Sequence, residues 1–469
     1  MGVLRKSPTS ELAGFVVNLS YEALPQEVIT NAKKCMLDSL GCALGGSQAE
    51  ETAPLVGALL RLGSEQGATV WGFPGRTELF KAALLNGLMC HALEMDDVHR
   101  EAKAHAGAVV VPAAITLGEA QNISGKELIA AVVSGYESML RIGVGIGAQS
   151  HRLRGWHATS TCGTFGAAAA AGRILRLNAK QLCWALGLAG TQSSGLWAFT
   201  ADGATCKKFH AGRAAQSGIL AAVLAQAGMS GPSQILEAKD GGLFPATSDV
   251  YSLEAVTAGL GERYLINEVS VKPYACCRSM HPAIDAALTL RRLCHIDSSR
   301  IKRIVAGTYG VAVQQCGFTA RPQNTAEAQF SLPYGVAVAL VDGNALMDQF
   351  AVGRIHDQAL IDLAAKVELV IDPEFHSLYP RKWGCRLEIE LTSGEVLVEE
   401  VLAAKGDPEN PLGAQELKAK FLALAQGAIG AEKSQAAVEM IDHLDQLETI
   451  LPLTNLLAGI SRGQLAKHC

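Results

Sequence analysis

Apolar residues recur every three to four positions from Glu11 to about Leu260, as in Val28, Ala32, Cys35, Met36 and Leu40, with Gly, Pro and Asn as punctuation. That spacing places the apolar side chains on one face of successive helices and predicts a bundle of many of them. Ser124-Gly-Lys-Glu127, just ahead of LIAAVVSGYE, adds a start signal, because Ser124 and Glu127 stand at capping-box spacing. Near residue 265 the pattern changes. INEVSVKPY, RIKRIVAGTY, KVELVID and CRLEIELTSGEVLVEEV are rich in Val and Ile with partial alternation, which predicts strands. Arg386 to Leu391 and Glu395 to Val401, joined through Thr392-Ser-Gly394, form the clearest hairpin. Helical stretches run from His281 to Leu293 and from Pro333 to Val341.

After the turn signal Lys405-Gly-Asp-Pro408 the spacing is helical again, in QELKAKFLALAQ, EKSQAAVEMIDHLDQL and TNLLAGISRGQ. These helices have little of their own to cover, so they are expected to pack back onto the first bundle. The chain then divides into a helical domain of residues 1–265 plus 407–469 and an inserted α+β domain of residues 266–406. The expected fold class is mainly α.

A chain of 469 residues exceeds the size at which a single core stops growing. Hydrophobic residues make up 49% but aromatics only 5%, so the core must be built from small aliphatic side chains packed closely. Runs such as Gly163 to Ala171 (GTFGAAAAA) allow helices that close approach. With 40 basic and 45 acidic residues and no basic stripe, nucleic acid is not an expected partner. No membrane span and no cleavable leader is read from the sequence, so a cytoplasmic protein is expected. The twelve cysteines are scattered and form no C-x-x-C pair, which reads as small buried hydrophobes rather than bridges or zinc ligands.

Four stretches carry candidate chemistry. In NGLMCHALEMDDVHREAKAHAGAVVV (residues 86–111), helical spacing would put His91, Glu94 and Asp97 on one face, with His105 in the loop before the next helix. A histidine at such a loop can face a cleft and move protons near neutral pH. The same residues read blandly as a solvated helix end. A metal site is disfavoured, since the Glu-x-x-His pairs of a di-iron bundle do not occur. In RGWHATSTCGTFG, His157 precedes Thr159 and Ser160, which offer hydroxyls to a substrate oxygen; a capped helix with a core histidine is the plainer alternative. In ATCKKFHAGRAA, Lys207, Lys208, His210 and Arg213 gather at a helix start, where cations make an anion site or simply a solvated basic turn. In VKPYACCRSMHPAIDA, Lys272, Arg278 and His281 flank Cys277, a thiol open to a nucleophile reading but equally a packing residue. Cations from four places with acids from one suit a substrate bearing two or three carboxylates. No phosphate-binding glycine loop and no G-x-S-x-G elbow occurs, which disfavours nucleotide chemistry and serine hydrolysis.

These stretches, taken in order with LDSLGCALGG near the start and EAQFSLPYGVAVALVDG at Glu327 to Gly343, resemble the MmgE/PrpD family over nearly the whole chain. The resemblance implies an all-helical large domain built from both chain ends, a smaller α+β lid domain, usually a homodimer, and no cofactor or metal. Activities in the family include dehydration of 2-methylcitrate, decarboxylation of cis-aconitate and epimerisation of iminodisuccinate. For the decarboxylases the resemblance implies an acid at Glu94, histidines at His105 and His157, and lysines at Lys207 and Lys272. It also shows three departures: Glu94 stands for Asp, Val98 for Thr and Cys277 for His, which weighs against cis-aconitate decarboxylation, with His281 a partial substitute for the last group. The expected function is a lyase of the 2-methylcitrate dehydratase type. Its alternatives are an epimerase of an imino- or aminodicarboxylic acid and a non-catalytic binding protein on the same fold. The expected roles are proton transfer by His105 with His157 as partner, carboxylate binding by Lys207, Lys272, Arg278 and His281, and orientation of a histidine by Glu94.

Overall fold

The computed structural model of the chain describes residues 6–62, 66–201 and 203–459. The fold is mainly α. At its centre lie α1 (Gln26–Ser47), α2 (Leu79–Cys90), α3 (Gly107–Gln121), α4 (Gly125–Gly145), α5 (Gly163–Ile174) and α6 (Lys207–Gln226). α6 packs against α2, α3 and α5, and α4 covers the other side of α5. Small residues set these distances. A Cβ on Gly212 would stand 2.1 Å from the carbonyl oxygen of Leu84, and one on Gly218 would stand 2.3 Å from the Cβ of Ala167. The alanine run Ala167 to Ala171 is fully buried beneath them. Residue size therefore fixes how deep α6 sits, and α6 carries the candidates Lys207, Lys208 and His210 in its first turn.

The capping box expected at Ser124 forms, with the Glu127 amide donating to Ser124 Oγ at 3.3 Å and the Ser124 amide donating to Glu127 Oε2 at 2.9 Å. The helix it opens, α4, is long and apolar enough to cross a membrane but is enclosed by its neighbours and holds a buried Glu137–Arg141 ion pair. Near the other end of the chain, α9 (Ala414–Ile429) lies along α1, with Phe421 against Gly41. The last expected helix is Leu451–Leu456, and the end of its motif, from Ile460 to Gln464, lies outside the described residues.

Between these helices, α7 (His281–Cys294) and α8 (Leu332–Asp342) cover a four-stranded sheet of β3 (Ile301–Thr308), β4 (Val367–Ile371), β5 (Cys385–Leu391) and β6 (Val396–Val401). The strand order is β4-β3-β5-β6, parallel between β3 and β4 and antiparallel elsewhere. The β5–β6 hairpin turns where the sequence placed it. INEVSVKPY does not join this sheet. It forms a turn at Leu265–Glu268 and a two-residue strand, β2 (Val269–Ser270), paired antiparallel with β1 (Val98–His99). The ladder goes no further because the Val271 amide donates to the Gly406 carbonyl at 2.9 Å instead. The β1–β2 pairing joins the segment that carries Lys272 to the histidine-rich loop. Among the described residues every cysteine is a free thiol, and all but Cys206 and Cys294 are buried.

Candidate active site

The helical face expected for His91, Glu94 and Asp97 does not form, because α2 ends at Cys90 and, apart from the two residues of β1, the chain runs irregularly to Gly107. Glu94 has φ 54°, a left-handed conformation that is costly for a side chain of this kind. The loop instead turns its polar groups inward. Asp96 Oδ2 accepts from His91 Nδ1 at 2.6 Å and stands 3.2 Å from His105 Nδ1, with all three residues enclosed. Burial raises the Asp96 carboxyl, but the two imidazoles outweigh it and hold the group well below the usual range. Burial also takes His105 down to about 4 against the opposing pull of Asp96, so its imidazole is neutral at pH 7. A neutral imidazole backed by a carboxylate can accept a proton and have the resulting charge stabilised. Asp97 is separate: it accepts from Tyr136 at 2.6 Å and from the Gly107 amide at 2.9 Å, and burial pushes it up to about 7. It anchors the start of α3.

Glu94 does not orient a histidine. Its carboxylate pairs with Lys207 at the first turn of α6 and lies 3.5 Å from Lys272 Nζ, which also donates to the Glu94 carbonyl at 2.9 Å. Burial raises the Glu94 carboxyl, and the two ammonium groups more than offset this and hold it at about 2. The other polar residues of α6 part from Lys207. Lys208 pairs with Glu51, Arg213 donates to Gln216, and His210 Nδ1 lies 3.0 Å from His157 Nδ1. Burial and the Lys207 charge hold His157 well below its ordinary value. Thr159 and Ser160 serve the scaffold rather than a substrate: Thr159 Oγ1 accepts from the His105 amide at 3.2 Å and Ser160 donates to the His210 carbonyl at 3.3 Å.

The opposite wall comes from the α+β segment. Lys272, Cys277, Arg278 and Gln315 face the same cavity, with Tyr379 and Trp383. Arg278 pairs with Asp407 at 2.5 Å, while its Nε and Nη1 have no hydrogen-bond partner among the described residues. A hydrogen bond from Cys316, working against burial, takes the Cys277 thiol down to about 7, and the Gln315 amide donates to its sulfur at 3.3 Å. His281 is placed elsewhere. It sits fully buried behind this wall, with Nε2 on the Cys276 carbonyl at 3.3 Å, and does not line the cavity.

Glu94, His105, His157, Lys207, Lys272, Cys277 and Arg278 thus line one cavity of about 60 Å³. Three groups to which sequence reasoning gave no individual role support this lining from behind. Asp96 was visible only as a neighbour of Asp97, and His210 only as one of several cations. Lys420 on α9 reaches Asp38 at 2.5 Å and the carbonyls of Met95 and Lys272 at 2.7 and 2.8 Å, joining the backbones of both walls. Its signal lay more than 100 residues from any candidate stretch. His91, Asp96 and His105 also bring three potential metal-ligand atoms within 4.8 Å of one another.

Comparisons with known proteins show the family. The MmgE/PrpD N-terminal domain matches residues 10–254 and the MmgE/PrpD C-terminal domain residues 274–446. A cis-aconitate decarboxylase of Aspergillus terreus (strain NIH 2624 / FGSC A1156) is 29% identical over 96% of this chain and 95% of its own length. The cis-aconitate decarboxylase-like protein oryM of Aspergillus oryzae is 30% identical over 97% and 98%, and the cis-aconitate decarboxylase of Homo sapiens 29% identical over 99% and 98%. The chain belongs to the MmgE/PrpD family.

Proposed function

We propose that this chain is a lyase for a small polycarboxylic acid, acting by proton transfer at a carbon next to a carboxylate, with dehydration of a 2-methylcitrate-like acid as its reaction. The observation that carries this function is the convergence on one cavity of two buried lysines and a neutral, carboxylate-backed histidine. Lys207 and Lys272 bind a substrate carboxylate in competition with Glu94 and neutralise the negative charge that develops when the adjacent C–H bond breaks. His105 takes that proton, and Asp96 stabilises the imidazolium formed. His157 is too depressed to act as an imidazolium. With His210 donating to its Nδ1, its Nε2–H donates a hydrogen bond to the departing hydroxyl without being transferred, and the hydroxyl leaves as water with the proton that His105 took from carbon. Residues 266–406 act as a lid, since they supply one wall and residues 94–207 the other. Two positions on that cavity, Val98 and Cys277, are among those that depart from the decarboxylase pattern, which favours dehydration over loss of CO2.

A second reading has its own support. His105 and Cys277 line the cavity from opposite walls, and two proton-carrying groups facing one carbon can invert it. The substrate would then be an imino- or aminodicarboxylic acid.

Product mass separates these readings. Citrate, 2-methylcitrate, cis-aconitate and iminodisuccinate are supplied in turn to the chelator-treated enzyme. Loss of one water from a hydroxylated acid is expected. Loss of CO2 would replace dehydration by decarboxylation, inversion at constant mass would favour the epimerase, and turnover only after metal is restored would contradict the metal-free chemistry.

A further inference from the structure

Beside the catalytic cavity lies a second one of about 210 Å³, which shares Lys103, Arg152, Trp197, Val311 and Gln315 with it. Its charge is of one sign. No carboxylate lines it, and neither Lys103 nor Arg152 has an acidic partner at ion-pair distance among the described residues. Both cations are held by aromatic rings instead. The Arg152 guanidinium lies 4.0 Å from the centroid of Trp197, and Lys103 Nζ lies 4.8 Å from the centroid of Tyr379. Ring contacts position a cation without neutralising it. Arg152 Nε and the indole N–H of Trp197 have no acceptor among the described residues. Lys103 also has a left-handed backbone, φ 48°, as Glu94 does in the same loop. Burial lowers Lys103 to about 8, with the Arg152 charge adding to the effect, and burial lowers Arg152 to about 10. Two unpaired cations that disfavour each other in a partly enclosed, amide-rimmed cavity are relieved by an anion placed between them.

We propose that this outer cavity is an anion subsite that takes the distal carboxylate of the substrate, while the reacting end lies among Lys207, Lys272 and His105. The proposal rests on the polycarboxylate reading of the inner cavity and extends it: the substrate is a polyacid long enough to span both, and Lys103 and Arg152 select it.

The test is calorimetric binding of tricarballylate and succinate to the wild-type chain, Arg152→Gln and Lys103→Met. Each variant is expected to weaken tricarballylate about ten-fold and succinate by less than about two-fold, the loss of one charge-assisted hydrogen bond at the distal group only. Equal weakening of both acids, or of neither, overturns the subsite. If the wild-type chain binds neither acid, the polycarboxylate reading fails, and sulfate decides the subsite alone. A sulfate-induced rise in Tm that disappears in both variants retains it; a rise that survives in them, or no rise, removes it.

Discussion

The two walls of the catalytic cavity are built on opposite electrostatic plans. On the wall from residues 91–210 the ionisable groups around His105 and His157 come paired: Asp96 between His91 and His105, Glu94 on Lys207, His157 on His210. On the wall from the α+β segment, Lys272 reaches across to Glu94, while Arg278 keeps Nε and Nη1 without hydrogen-bond partners among the described residues and Cys277 offers a thiol near neutrality. Pairing fixes protonation states before substrate arrives, as proton transfer requires. Open valences leave the second wall free to receive the substrate's own charges. The difference teaches that the paired histidines that move protons sit on one wall while cations that meet the substrate come from both, the two walls being joined by Lys420 and by the β1–β2 pair.

The largest effect that would break this division is expected at His105. His105→Gln keeps the polar volume but cannot accept the proton, so turnover falls by roughly 10²–10⁴, while Tm stays near that of the wild type. A variant that keeps full activity would move the base to the other wall.

Glu94→Gln comes next. It leaves two buried ammonium groups without their counter-ion, a loss of about 3–5 kcal/mol as seen for broken buried pairs. The sign follows from linkage: Glu94 is depressed to about 2 in the folded chain, so its stabilisation is present above the ordinary carboxylate range and is lost as pH falls toward 2. Thermal unfolding at several pH values should show the gap between variant and wild type shrinking below about pH 4.5. Citrate should raise Tm more in the variant, since its carboxylate replaces the missing one. A pH-independent gap would contradict the pairing.

The smallest effect is expected at Cys277. Above about pH 7 its thiolate adds a negative charge beside Lys272 and opposes a substrate carboxylate. KM is therefore expected to rise above pH 7 in the wild type, by less than about ten-fold for one such charge, and to stay level in Cys277→Ala. Identical profiles would mean that the thiol only packs.

Much of the fold was legible because it follows from local pattern. Helical spacing, the Ser124–Glu127 box and the β5–β6 hairpin each need only neighbouring residues. The short strand at Val269 was over-read because a run of Val and Ile does not say what it pairs with, and its partner lies at Val98. The site divided in the same way. Residue types put Glu94, His105, His157, Lys207, Lys272 and Arg278 among a longer set of candidates, the family resemblance singled out the first five, and the structure brings all six to one cavity. Partnerships were not legible, because they are made across long separations: Asp96 rather than Glu94 backs the histidines, His210 backs His157, and His281 faces the core. Spacing alone also hid the end of α2 at Cys90, since the break comes from side chains turning inward rather than from a Gly or Pro.

The most direct measurement of the central claim is proton NMR in deuterated water, with the chelator-treated wild type and His105→Gln each supplied with the acid that is turned over. The account predicts deuterium entering beside a carboxylate with the wild type and none above background with the variant. Exchange at equal rates in both, or turnover by the wild type with the adjacent C–H bond left intact, would contradict it.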